Sequence, residues 1–116
     1  MKNEERDSTP RLDIGRFVTI YEWVNDNLPD DVGRAFDDFV VTDISDSFPA
    51  DVLDLYRALA QSSDPTVRVI AATGVHNAIK LDREAGLDIL RRLQRDEDLE
   101  VATQARETEQ DLPKLV

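Results

Sequence analysis

The sequence predicts an all-α protein, a short α-solenoid of about three antiparallel helical hairpins. Three observations carry this. First, Leu53-Asp54-Leu55-Tyr56-Arg57-Ala58-Leu59, with Asp64 and Val67, recurs 34 residues later as Leu87-Asp88-Ile89-Leu90-Arg91-Arg92-Leu93, with Asp98 and Val101. A repeat of that length is one helical hairpin, which buries its apolar face only by stacking on its neighbours. Second, apolar residues recur at steps of three and four along most of the chain, the period of amphipathic helices. Third, proline or aspartate stands at the expected helix starts. The hairpins are placed at residues 10–41, 49–80 and 83–110 of a domain spanning 10–110, with a flexible arm over 1–9 and a tail over 111–116 that frays.

The first helix is expected to start at Ser8-Thr9-Pro10 and to turn Ile14, Phe17, Tyr21, Val24 and Leu28 inward before Asn27 and Pro29 end it. Asp30-Asp31 then caps a second helix with Val32, Ala35, Phe36, Phe39 and Val40 inward and Asp37 and Asp38 outward. Thr42-Asp43-Ile44-Ser45-Asp46-Ser47 lacks periodicity and reads as a loop. Phe48-Pro49 opens the third helix, and Asp64-Pro65 opens the fourth as cap and first helical residue. Gly74 lies inside that fourth helix, at a cost of about 1 kcal/mol relative to alanine, which implies a close helix crossing. Asp82 caps a fifth helix, and Asp96 to Asp98 turns the chain into a sixth that is poor in apolar residues. Such a polar last helix suits the end of an array.

Asp64-Pro65-Thr66-Val67-Arg68-Val69-Ile70-Ala71-Ala72 resembles the inter-helix turn and second helix of HEAT repeats, with aspartate, then valine-arginine, then paired alanines. The next copy keeps Asp98, Val101 and the first alanine but places Ala102 where the arginine stands. The resemblance covers residues 48–110 and is faint over 10–41, where only Asp30, Val32 and Arg34 match after a shift. A period of 34 is also that of tetratricopeptide repeats, whose glycine-tyrosine spacing is not reproduced. Either resemblance implies paired helices with the second helix of each pair lining a concave binding face.

The net charge is −11, and it is unevenly placed: residues 26–54 hold nine aspartates against Arg34 alone, whereas 55–95 carry a net +3. This balance disfavours nucleic acid phosphates and favours a basic protein partner. HEAT-like enzymes that grip a duplex with a basic face are therefore disfavoured, although Arg57, Arg68, Arg91, Arg92 and Arg95 supply some positive charge; pairs such as Asp88 with Arg92 account for these more simply. No cysteine is present, so disulfide and thiolate chemistry are out of reach. The only histidine, His76, has no second imidazole or thiol to share a metal with, and no serine lies in a nucleophile-elbow context. The run from Asp43 to Asp54 resembles a calcium loop only superficially, since Phe48 stands where that loop needs glycine. The four glycines are isolated, which gives no phosphate-cradling loop. No segment approaches about 18 consecutive apolar residues.

The expected function is therefore that of a cytoplasmic, monomeric, cofactor-free and non-catalytic protein-interaction module, of inhibitor, immunity or antitoxin type, acting on a basic partner without membrane or nucleic acid. The alternative is a scaffold subunit that self-associates. The expected contact surface joins Asp30, Asp31, Asp37, Asp38, Asp43 and Asp46 to Arg68, Thr73, His76, Asn77 and Lys80 on the fourth helix. Trp23 lies off the apolar stripe of the first helix, either as an interface anchor or packed under the second helix or the N-terminal arm.

Overall fold

The computed structural model describes residues 10–115, and the described residues are all-helical. Helix α1 spans Ile14–Asn27, and its cap is Asp13, whose carboxylate accepts from the Arg16 amide at 3.1 Å. The expected start at Pro10 is thus displaced, and the Ser8-Thr9 cap lies outside the described residues. Leu28 leaves the helix in an extended conformation, as a residue before proline must. It is 38% exposed rather than inward. Helix α2 spans Asp30–Asp38 with Pro29 at the cap position, so Asp30 does not cap it; Asp30 and Asp31 instead occupy the first turn, where the helix dipole favours negative charge.

The expected loop at 42–47 is helical. A π-helical turn, Phe39–Asp43, runs directly into α3, Ile44–Ser47. The reason is burial: Val40 and Ile44, four residues apart, are both fully enclosed, and a helix is the way to turn both inward. A 3-10 turn at Pro49–Asp51 then leads into α4, Val52–Ala60. The fourth helix divides into α5, Pro65–Gly74, and α6, His76–Leu81, so Gly74 ends a helix instead of lying within one. Helix α7 spans Arg83–Gln94, and α8 spans Leu99–Leu115. The last helix therefore passes the expected end at Gln110, with Leu112 packed on the core.

The 34-residue register appears as repeated bonding. The Asp54–Arg57 pair (3.2 Å) has its counterpart in Asp88–Arg91 (3.7 Å), which replaces the expected Asp88–Arg92 pair. Ser62 Oγ accepts from the Asp64 amide at 3.1 Å, and Asp96 at the equivalent place accepts from the Asp98 amide at 2.9 Å. Asp64 then caps α5 through the Thr66 amide, and Asp98 caps α8 through the Glu100 and Val101 amides. Val67 and Val101 are both fully buried, as are Ala71 and Ala105.

Helix α4 packs against α1 on one side and α7 on the other, and α5 packs against α8 and the π turn. The core runs through these contacts from Tyr21 and Val40 to Leu55, Tyr56 and Leu59, and on to Leu90, Leu93 and Val101. Two glycines permit close approach. A Cβ at Gly86 would lie 2.6 Å from the Cα of Ile79, and one at Gly74 would lie 3.1 Å from Cζ of Tyr56.

Candidate interaction surface

Seven of the nine aspartates between positions 26 and 54 are exposed: Asp26, Asp30, Asp31, Asp38, Asp43, Asp46 and Asp54. Only Asp54 has a basic partner among the ion pairs of the described residues. The other two turn inward, which corrects the expectation that Asp37 faces out. Asp37 is half-buried and accepts from the Tyr21 hydroxyl. Burial and this carboxylate push the Tyr21 pKa well above its ordinary value. Asp51 is buried and holds the N-terminal end of the fold, accepting from Arg11 Nη2 at 2.9 Å and from the Leu12 amide at 2.8 Å. The Arg11 guanidinium, followed by the Leu12 amide, keeps its carboxyl below the usual carboxylate range.

The residues expected on the fourth helix divide differently. Arg68 is largely buried, bonded to Asp96 at 2.8 and 3.1 Å and to the Ser62 carbonyl at 2.8 Å. It is a tie between α5 and the turn before α8, not part of a free surface. Burial works against ionisation of Asp96, but the Arg68 hydrogen bond and the Asp98 amide outweigh it and leave the pKa lowered. Asn77 is also withdrawn from the surface. Its Nδ2 donates to the Val41 carbonyl at 2.8 Å, while its Oδ1 accepts from Ser45 at 3.3 Å. Thr73 is half-buried and bonds back to the Val69 carbonyl, and Lys80 is exposed. His76 is half-buried, with Nδ1 enclosed and lacking a hydrogen bond of ordinary geometry. Burial, then Lys80, lowers its pKa, and the Thr73 backbone offsets this only in part.

The segment around residues 42–47 meets α6 in a buried joint through Asn77, not in the open contact face expected from the sequence. Its chemistry follows from the π turn, in which i→i+5 bonding leaves carbonyls without their usual helical partners. Tyr56 supplies its hydroxyl to the Val40 carbonyl at 2.6 Å, Asn77 supplies its amide to Val41, and the two side chains meet at 3.3 Å. Burial raises the Tyr56 pKa far above normal, so the hydroxyl remains a donor. Sequence reasoning missed this joint, as it missed Asp51 with Arg11 and the bond from Ser62 to Glu22, because each partner lies 16 to 40 residues away.

A small apolar depression opens where α1, α2 and the π turn meet. Phe17, Ala35, Phe36 and Phe39 line an open depression of about 280 Å³, with the Phe17 ring 5.7 Å from Phe36 and 5.8 Å from Phe39. Ala35 is exposed, contrary to its expected inward position. On α1, Trp23 is 55% exposed and Ile20 45%, so among the described residues the tryptophan is not packed beneath its neighbours. Leu81 and Leu99 are exposed elsewhere on the molecule. No three potential metal-ligating side chains converge among the described residues, and no helix there is long and apolar enough to cross a membrane.

Comparison with protein-family models, with curated proteins and with solved structures finds no match.

Proposed function

We propose that this chain is a small non-catalytic protein-interaction module, built as a HEAT-like stack of hairpins, that engages a basic protein partner through the acidic surface of its first hairpin and the turn after it. The architecture is supported by the layering of contacts, α1 beside α4 beside α7 and the π turn beside α5 beside α8, and by bonding that repeats at 34 residues. The observation that carries the function is the exposure of seven of the nine aspartates between positions 26 and 54, with Arg34 the only basic residue in that stretch. Exposed charges of one sign concentrate a potential that steers an oppositely charged partner and accelerates encounter.

Oligolysine serves as the probe. The triple variant Asp38→Asn, Asp43→Asn, Asp46→Asn is compared with a control of equal charge change on α8 and the turn before it, Glu97→Gln, Glu107→Gln, Asp111→Asn; all six residues are exposed. The first variant is expected to lose association rate by about threefold to tenfold at low salt and the control much less, with the difference vanishing as salt rises. Equal losses in the two variants would show that only net charge matters and would remove the assignment to this surface.

A further inference from the structure

Resting on that reading, we infer that the first hairpin recognises a basic amphipathic segment, one that inserts a large aliphatic or aromatic side chain into the Phe17–Ala35–Phe36–Phe39 depression while its lysines or arginines meet the flanking aspartates. The depression is open and lined by apolar residues alone. An oligocation without an apolar anchor would leave it in water. A depression of this size has room for one inserted apolar side chain, and acidic groups stand at its edge.

Charge complementarity identifies the occupant. Asp31 stands four residues before Ala35 and Asp38 three after it, so both share the Ala35 stripe of α2, and both are exposed. Arg34, the single cation of α2, is three residues after Asp31 and four before Asp38, so it borders the same two aspartates on the side away from Ala35 and leaves the edge with a net charge of −1. An apolar floor with acid along one edge selects an apolar anchor flanked by cations, the arrangement on one face of a basic amphipathic helix. The depression also explains an arrangement that is otherwise wasteful. Phe17, Phe36 and Phe39 remain partly exposed although the chain has buried smaller side chains fully, such as Val40 and Ile44.

Two short fluorescein-labelled peptides of equal charge test this, one a lysine-leucine amphipathic helix and the other oligolysine, titrated by fluorescence anisotropy against the full chain and its Ala35→Gln variant. Glutamine favours helix, leaves the charge unchanged and occupies the apolar depression with a polar group at an exposed position. The amphipathic peptide is expected to bind at least about tenfold more tightly than oligolysine, as burial of one leucine implies, and Ala35→Gln should remove that advantage without changing oligolysine affinity. Normal oligolysine binding with no apolar advantage, or an advantage that survives Ala35→Gln, overturns the inference and leaves the acidic-surface reading standing. Failure of both peptides to bind at low salt overturns both. Sedimentation supplies the remaining outcome: a concentration-dependent dimer that Ala35→Gln abolishes assigns the depression to a second copy of the chain and overturns the external partner.

Discussion

Replacing Gly86 with alanine should destabilise the protein, although alanine is the better helix former. Gly86 lies one turn into α7, buried against α6, and its added Cβ would stand 2.6 Å from both the Cα and the amide nitrogen of Ile79 and 2.7 Å from Ile79 Cγ1. Ordinary carbon contacts lie at about 3.5–4.0 Å, so the two helices must separate by about 1 Å. Two of the three obstructing atoms are backbone and cannot rotate away. Overpacking of this kind costs about 1–3 kcal/mol, and the backbone obstruction places Gly86 toward the upper end; the helix-propensity gain of about 1 kcal/mol opposes it. The net loss is about 1–2 kcal/mol. For a domain of this size that is a fall in Tm of about 5–10 °C, readable by far-ultraviolet circular dichroism in a thermal melt and checked by urea titration. Gly15 supplies the internal control, because nothing lies within 4 Å of its Cβ position in the first turn of α1. Gly15→Ala should leave Tm unchanged or raise it slightly. A Gly86→Ala protein that melts at or above the wild-type temperature would show that α6 and α7 do not approach as described.

Other perturbations separate structural ties from surface. Tyr56→Phe removes the donor from the Val40 carbonyl and should cost about 1–3 kcal/mol in urea unfolding, whereas loss of a solvent-exposed hydroxyl would cost almost nothing. Arg68→Ala leaves Asp96 largely buried without its guanidinium and should lower stability by about 2–4 kcal/mol, yet should leave oligolysine association at matched folded fraction unchanged, since Arg68 is not part of the proposed contact surface. Asp51 has a depressed pKa in the folded state, so its contribution is present above its unfolded pKa of about 4 and is lost as pH falls through the lower folded value. Asp51→Asn should therefore melt lower than wild type at neutral pH and lose less further stability on acidification; parallel acid profiles for the two proteins would refute the linkage.

What the sequence discloses is whatever is bonded locally. Asp64 and Asp82 read correctly as helix caps because a cap partner is two or three residues away, whereas Asp30, read the same way, yields the cap position to Pro29. Apolar residues that correspond at a spacing of 34 are buried alike, Leu55 with Ile89, Leu59 with Leu93 and Val67 with Val101, because each lies on the inward stripe of its own helix. What fails to read is long-range. Asp51 carries the same side chain as its exposed neighbours, and Arg11 with the Leu12 amide, about 40 residues earlier in the chain, withdraws it from the acidic surface. Residues 42–47 look like a loop because serine, threonine and aspartate prefer turns when nothing else intervenes. Here Ile44 is sequestered, and Asn77 meets the Val41 carbonyl, so tertiary contacts keep the segment helical. The apolar depression is hidden for the opposite reason: Phe36 and Phe39 fall on the expected inward stripe, and periodicity alone cannot say whether another helix covers it.

One difference between the segments that correspond at 34 residues has a physical account in the same terms. Arg68 and Ala102 occupy equivalent positions one residue after the buried valines, yet only Arg68 reaches an acceptor, Asp96, in the turn that leads to α8. Asp96 itself stands 34 residues after Ser62, so the arginine of α5 is bonded to the turn before α8. Residue 102 is itself enclosed, so an arginine there would have to bury its stem. Alanine, 4% exposed, avoids burying a charged side chain and packs instead. Ser62, for its part, donates to Glu22 on α1, so this turn is tied to an earlier helix as the turn at Asp96 is tied to α5 through Arg68. A charge is withdrawn from solvent in this fold where a partner stands within reach, as Asp96 does for Arg68.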